Sequence, residues 1–341
     1  MKNIHIILSI LLGAMIGLTS CHREDIPYND IPEESAIPIS FSTIHASLDT
    51  KADDGEATTP AISAFHVWAS RKYGSSSNQS TNNQVFGQYG DDVTYSNNAW
   101  VYSPVRYWQT GSYNFIAASH TTEVTTNFTG SLTDNVLVLD FASGWELSST
   151  PADLILATAT ATGDTQLSDP TNVQFSFDHQ LSKVKFSAKN VDPRDASISI
   201  TGVTVKGNHH KATSLTYTIS STPSRTWSFA DNGNVAQTLP LQVEGENTAI
   251  LLNKTTHVGL TTDVLMFSEN CDLEVTVNFE VTINGQTDND SKSATIPSTA
   301  WQGGKIYEYQ INLTSDNITF VVPTVRDWVT VGSVTDNDIP F

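Results

Sequence analysis

The chain has 341 residues, a formal net charge of −19 and a sequence pI near 4.6. An acidic balance of that size argues against recognition of nucleic acid or anionic lipid by charge. Two cysteines rule out a framework of several disulfides, and the length predicts about two domains.

The N-terminus reads as an export segment. Lys2 followed by the apolar run Ile4 to Leu18 has the parts of a signal peptide over residues 1–20, too short and wrongly flanked for a transmembrane helix. Ser20-Cys21 resembles a bacterial lipobox, in which the thiol is acylated and becomes the mature N-terminus. Several acyl chains on Cys21 make a durable membrane anchor, whereas one alone binds weakly. His22-Arg23-Glu24-Asp25 resembles an export signal of surface lipoproteins, and residues 21–36, rich in proline and acid, read as a tether.

The segment Ile37 to Leu48 is the first expected strand. Ile37, Ile39 and Phe41 share one face at a period of two, while Ile44, Ala46 and Leu48 share the other. The apolar face therefore switches near Thr43, which a bulge accommodates. Lys51 follows among Asp49, Asp53, Asp54, Gly55 and Glu56, so the Lys51–Ala52 bond is an expected cleavage point for a trypsin-like protease.

The remainder reads as β throughout, with short Val, Ile, Thr, Phe and Tyr runs between Gly, Asn, Asp, Ser and Pro clusters. Expected strands include Ile62 to Ala69, Tyr113 to Ala118, Val136 to Phe141, Val173 to Phe177, Leu181 to Ala188, Ile198 to Val205, Leu273 to Ile283, Lys305 to Leu313 and Ile318 to Val322. Tyr73 to Asn83 is expected to be a loop. Ala152 to Ala161 is the longest helix candidate, yet it lacks an apolar stripe. A polar stretch from Gly163 to Asn172 divides the chain into expected units of residues 37–168 and 169–341. The predicted fold class is all-β, two antiparallel β-sandwich domains in tandem.

Residues with chemical potential form no catalytic or metal-binding pattern. His209 and His210 are adjacent, so on a strand they point to opposite faces. Asp288-Asn289-Asp290 lacks the glycine and terminal glutamate of a calcium loop. His179 is expected to be a packed or surface sheet residue, and Cys271 a small buried one. No cofactor is expected. Trp68, Trp108, Trp301 and Trp328 read as core, while Trp100 and Trp145 border turns and are candidate sugar-stacking platforms.

Five segments in order resemble the Bacteroidales fimbrillin family, the subunits of lipoprotein-derived pili. They are Ile39-Ser40-Phe41 leading to Lys51-Ala52 and Ile62 to Val67; Trp108 ahead of Phe115-Ile116-Ala117; Phe175 to Val184; Trp301 to Ile311; and Val325-Arg326-Asp327-Trp328. The resemblance implies two transthyretin-like sandwiches, no enzymatic activity, and delivery to the outer membrane as a lipid-anchored, surface-exposed precursor. It also implies a trypsin-like protease that cuts after Lys51, where many members carry arginine, and removes the first strand, residues 37–51 with Ile37, Ile39, Phe41, Ile44 and Leu48. A neighbouring pilin subunit then fills the groove with its terminal strand, a form of β-augmentation. Phe320, Val322, Val325, Trp328 and Val331 are the donor candidates here, or else they complete the second sandwich. The competing expectation is a monomeric surface lipoprotein that binds glycans through exposed aromatics; under either expectation host or bacterial surface glycans and proteins are candidate partners.

Overall fold

The computed structural model describes residues 37–44, 62–73, 80–120, 128–133, 135–146, 153–163, 172–207, 211–220, 222–230, 235–239, 241–242, 248–261, 264–268, 273–296 and 301–328. Cys21, Leu48, Lys51, Ala52, His209, His210, Cys271 and Val331 lie outside the described residues. All regular structure within them is β-strand, and no α-helix occurs there.

The first half contributes β1 (Phe41–Ile44), β2 (Ala64–Tyr73), β3 (Ser80–Gln84), β4 (Asp91–Ser96), β5 (Ala99–Val101), β6 (Gly111–His120), β7 (Phe128–Thr133), β8 (Val136–Glu146) and β9 (Leu154–Gly163). There follow β10 (Val173–Ser176), β11 (Asp178–His179), β12 (Leu181–Asn190), β13 (Ala196–Gly207), β14 (Lys211–Thr218), β15 (Ser224–Phe229) and β16 (Val235–Leu239). The last group is β17 (Ile250–Leu251), β18 (Val258–Gly259), β19 (Val264–Phe267), β20 (Glu274–Ile283), β21 (Gln286–Thr295), β22 (Lys305–Leu313), β23 (Ile318–Phe320) and β24 (Thr324–Asp327). Two readings change. The Thr/Ala-rich segment is β9, a central strand between β6 and β11, and the Ser/Asn-rich expected loop contains β3.

A seven-stranded sheet runs β11-β9-β6-β2-β4-β5, with β3 also on β2. Its central strands bury both faces, successive residues alternating between two cores. Phe65, Val67, Phe115, Ala117 and Ile155 point into the first core, whereas Trp68, Ile116, Ala118, Leu154 and Leu156 point into a second. The first core is closed by β1 and β10, paired in parallel with Phe41 opposite Val173 and Thr43 opposite Phe175.

The second core lies under a four-stranded sheet, β15-β14-β8-β7. In it β8 pairs with β14, Leu139 opposite Leu215, so strands from both sides of residue 168 share one ladder. Likewise Val173 and Phe175 of β10, and Phe177 just after it, pack into the first core although they follow residue 169. A third core separates a six-stranded sheet (β18-β12-β22-β23, with β19 on β12 and β24 on β22) from a five-stranded one (β16-β13-β20-β21, with β17 on β13). Strand β12 serves two of these cores: Leu181 enters the second, and Val184, Phe186 and Ala188 enter the third. Most ladders are antiparallel, as expected; β1–β10 and β12–β22 are parallel, which a chain reversal at a hairpin cannot produce.

Candidate functional site

The segment Ile37 to Ile44 is threaded between residues 106–108 on one side and β10 on the other. Ile39 N–H donates to the Arg106 carbonyl at 2.8 Å, Trp108 N–H donates to the Ile37 carbonyl at 2.9 Å, and Val173 N–H donates to the Ser40 carbonyl at 2.8 Å. The Tyr102 hydroxyl donates to the Ile39 carbonyl at 2.7 Å and accepts from Arg106 N–H at 3.2 Å. Ser40 Oγ donates to Asn172 Oδ1.

Alternation then decides what enters the core. Ile39 and Phe41 are 1 % and 6 % exposed, while Pro38 is exposed and Ser40 half-buried. Phe41 sits in a cage of five rings, Phe65, Phe86, Tyr102, Phe115 and Phe175, with centroids between 5.5 and 6.4 Å. Burial of two such side chains is worth about 1.5–3 kcal/mol each, and aromatic pairing adds roughly 0.5–1.5 kcal/mol. Ile37 is partly buried against the same core, and Ile44 ends the strand opposite Ser176. Removal of these eight residues opens an apolar slot rimmed by the Arg106 carbonyl and by the Trp108 and Val173 amides. Tyr102, Phe86, Arg106 and Asn172 build that slot, and sequence reasoning missed all four. Their partners are remote in sequence, so no local period marks them.

The terminal donor candidates lie on the free side of β22. Ile318 pairs with Leu313 and Phe320 with Ile311, and then Thr324 pairs with Glu308 and Asp327 with Lys305. Val321, Val322 and Pro323 thus face only Tyr309 and Gln310, one residue in excess, which is the geometry of a β-bulge. Ile318 is buried in the third core, Phe320 is partly buried against Tyr309, and Val322 and Val325 are 86 % and 50 % exposed.

Trp328 ends this edge strand in a buried junction. Its ring stacks on His179, centroids 3.6 Å apart and 6° from parallel, and the Lys183 ammonium lies 4.2 Å from it. Trp328 N–H donates to the Gly304 carbonyl at 2.8 Å, and Gly304 N–H donates to the Leu181 carbonyl at 2.9 Å. Gly303 must lack a Cβ, which would meet Arg225 and the carbonyls of His179 and Gln180. His179 Nδ1 bonds the Asp153 carboxyl, whose pKa burial pushes up against the opposing pull of that bond. Three of the five sequence segments, 175–184, 301–311 and 325–328, therefore meet at one place. His179 is a packed residue, and its stacking on Trp328 had no signal in the sequence.

Other candidates resolve into structure. Trp145 is buried in the second core, and Trp100 packs on Phe65 and Tyr95 with centroids at 4.8 and 5.1 Å. Asp288, Asn289 and Asp290 lie on the exposed strand β21. Among the described residues no group of His, Cys, Asp or Glu is placed to hold a metal ion.

Among the described residues the protein is built of several β-sheets, and the segment 37–44 seated in the first core is its most elaborate feature. The chain belongs to the fimbrillin-like family, whose sequence profile matches residues 50–328. A fimbrial protein from Bacteroides vulgatus shares its fold, with a TM-score of 0.59 and 16 % identity over 86 % of this chain and 99 % of that one. A Bacteroides ovatus protein assigned to cell adhesion has a TM-score of 0.47 and 13 % identity over 86 % and 98 % of the two chains. A fimbrial assembly protein from Parabacteroides distasonis has 0.39 and 11 % over 86 % and 96 %. No curated protein sequence matches the chain.

Proposed function

We propose that the chain is a surface fimbrial subunit that assembles by strand exchange. In this reading Cys21 carries the lipid that holds the precursor at the outer membrane. A trypsin-like protease cuts between Lys51 and Ala52, the segment 37–51 leaves, and another subunit fills the slot. The observation that carries the reading is the seating of Ile39 and Phe41: two core side chains supplied by a segment that lies N-terminal to the family match, which begins at residue 50. A sandwich that has lost such a strand exposes both an apolar slot and unpaired backbone groups, and an incoming strand satisfies the two together. The slot's rim offers two donors and one acceptor for that purpose.

Limited trypsin treatment of the purified mature chain tests this. A first cut after Lys51, located by N-terminal sequencing and followed by a ladder of oligomers, is the expected result. A chain that is cut there and stays monomeric refutes strand exchange. Cys21→Ala tests the anchor, since labelling with a fatty-acid analogue should be lost.

A further inference from the structure

One end of the five-stranded sheet carries a cleft that no core fills. It opens where the start of β13 meets the ends of β17 and β20, and its volume of about 450 Å³ falls within the roughly 300–1,000 Å³ of small-ligand sites. Ser197 and Thr282, cross-strand partners, line it together with Leu251, which pairs at the other edge of β13 with Ser199. Alternation turns Ser197 and Leu251 outward, because Ile198, Ile250 and Leu252 beside them are buried in the third core. Leu251 is 63 % exposed and belongs to none of the three cores.

The walls are fixed before any ligand arrives. Asn284 and Gly285, at φ of 52° and 80°, make the tight turn that sets the Asn284 side chain at the rim. Across that hairpin the Thr282 and Thr287 hydroxyls are hydrogen-bonded at 2.8 Å. On the facing side, the Asn253 carbonyl accepts from Asn190 N–H at 2.9 Å and Asn253 Oδ1 accepts from Thr255 N–H at 2.7 Å, which holds the turn that carries Lys254. Asn190 Nδ2 donates to the Ala196 carbonyl at 2.8 Å, which holds the residue next to Asp195. Walls that need no ordering lose little entropy on binding.

The lining selects the chemistry of an occupant. Asp195 and Lys254 are its two ionisable groups among the described residues, and they pair at 3.0 Å, so the cleft presents no net charge. Both are well exposed; such a pair contributes little and leaves oxygen lone pairs and ammonium hydrogens for a ligand. Ser197 Oγ and the Asn284 side-chain amide make no hydrogen bond among the described residues and add further donors and acceptors. An anion is opposed by Asp195 and by the net charge of −19, and a hard cation finds a single carboxylate. An apolar ligand would leave the polar rim desolvated and unpaired. A pyranose ring meets all of these demands, with hydroxyls for the rim and a C–H face for the aliphatic side chain. We propose that this cleft binds a neutral saccharide, its hydroxyls on Asp195, Asn284 and Lys254 and its C–H face on Leu251. No aromatic platform takes part, and the site is independent of strand exchange, because β13, β17 and β20 enclose the third core and the slot opens into the first.

NMR titration of the uncut mature chain tests this, with glucose, galactose, mannose and N-acetylglucosamine as probes and sorbitol, an acyclic polyol, as the control. The expected result is a saturable millimolar shift of the Leu251 methyl and of the Lys254 and Asn284 amide signals with at least one pyranose and none with sorbitol. No saturable shift with any of the four sugars, or equal shifts with sorbitol, overturns the proposal. Methyl glycosides of the sugars that bind identify the source: retained binding marks a residue within a glycan, lost binding a free sugar, and either result upholds the cleft. Asn284→Gly keeps the positive φ of the turn while deleting the amide, and Leu251→Ser changes an exposed side chain, so both variants retain the fold. Each should bind roughly fivefold more weakly or worse. Unchanged affinity in both variants places the sugar elsewhere and overturns the site.

Discussion

The two ends of the described chain are both strands, yet they are held in opposite ways: β1 forms a two-stranded sheet with β10, and β23 and β24 lie on the edge of the six-stranded sheet. The segment 37–44 supplies side chains to the middle of a core, and its ladder partner, β10, is more than a hundred residues away. The terminal strand β23–β24 pairs with the strand just before it. Its turn is fixed locally, because Thr314 N–H donates to the Asn317 carbonyl at 2.9 Å and Asn317 N–H donates to Thr314 Oγ1 at 2.8 Å. It is pinned at both ends as well. Asp192 accepts from Ser315 N–H at 2.8 Å and from Ser315 Oγ at 2.7 Å, and Trp328 is docked on His179. Between those pins its side chains mostly face water. One strand therefore has deep burial and a distant attachment, the other shallow burial and a local one. Loop-closure entropy makes the distant strand the costlier to replace once lost, and burial makes its vacancy the more exposed to a competitor.

Breaking the buried end should have the largest effect. Phe41→Ala empties the five-ring cage and should lower stability by about 3–5 kcal/mol in urea unfolding. A loss under about 1 kcal/mol would mean that the core closes without β1. Trp328→Ala removes a ring stacked on one imidazole and bordered by one ammonium, so about 2–4 kcal/mol is expected. The sharper readout is hydrogen exchange: protection of the 324–328 amides should fall while that of residues 39–41 is unchanged. Equal loss at both places would show that the two ends are coupled.

The pH dependence separates two carboxylates. Burial raises the Asp192 pKa, but hydrogen bonds from Ser315 and Arg194 outweigh it and hold the carboxyl well below its usual range. Its stabilisation is therefore present above the unfolded carboxylate pKa near ~3.9 and is lost as pH falls toward the folded value. Asp192→Asn should cost about 1–2 kcal/mol at pH 7, and the gap to wild type should narrow below about pH 4. Asp153 runs the other way. Its pKa is raised, so its share is complete in acid and fades as pH rises through the folded value. The smallest effect is expected at the exposed bulge, where Val322→Thr should stay within about 0.5 kcal/mol of wild type; a larger loss would mean that this edge is already covered in solution.

Alternation along the chain was enough to place β6, β10, β12, β20 and β22. Apolar side chains at a period of two report burial wherever one face is dry. The same signal fails for β21. Its sequence Gln286 to Thr295 is polar on both faces, and it exists because Asn284 and Gly285, both at positive φ, turn β20 back on itself. It also fails for β9, whose Thr and Ala residues carry little period but whose place between β6 and β11 imposes strand.

By itself, then, the sequence determined an all-β chain, its fimbrillin resemblance, and the face that Ile37, Ile39 and Phe41 share, because these are matters of local period and composition. The tertiary structure decided that β1 runs parallel to β10, that β8 and β14 join strands from both halves in one sheet, and that Trp328 lies on His179. Those pairings depend on residues brought together from more than sixty positions apart, and a period of two repeats the same facing for every strand without naming its neighbour.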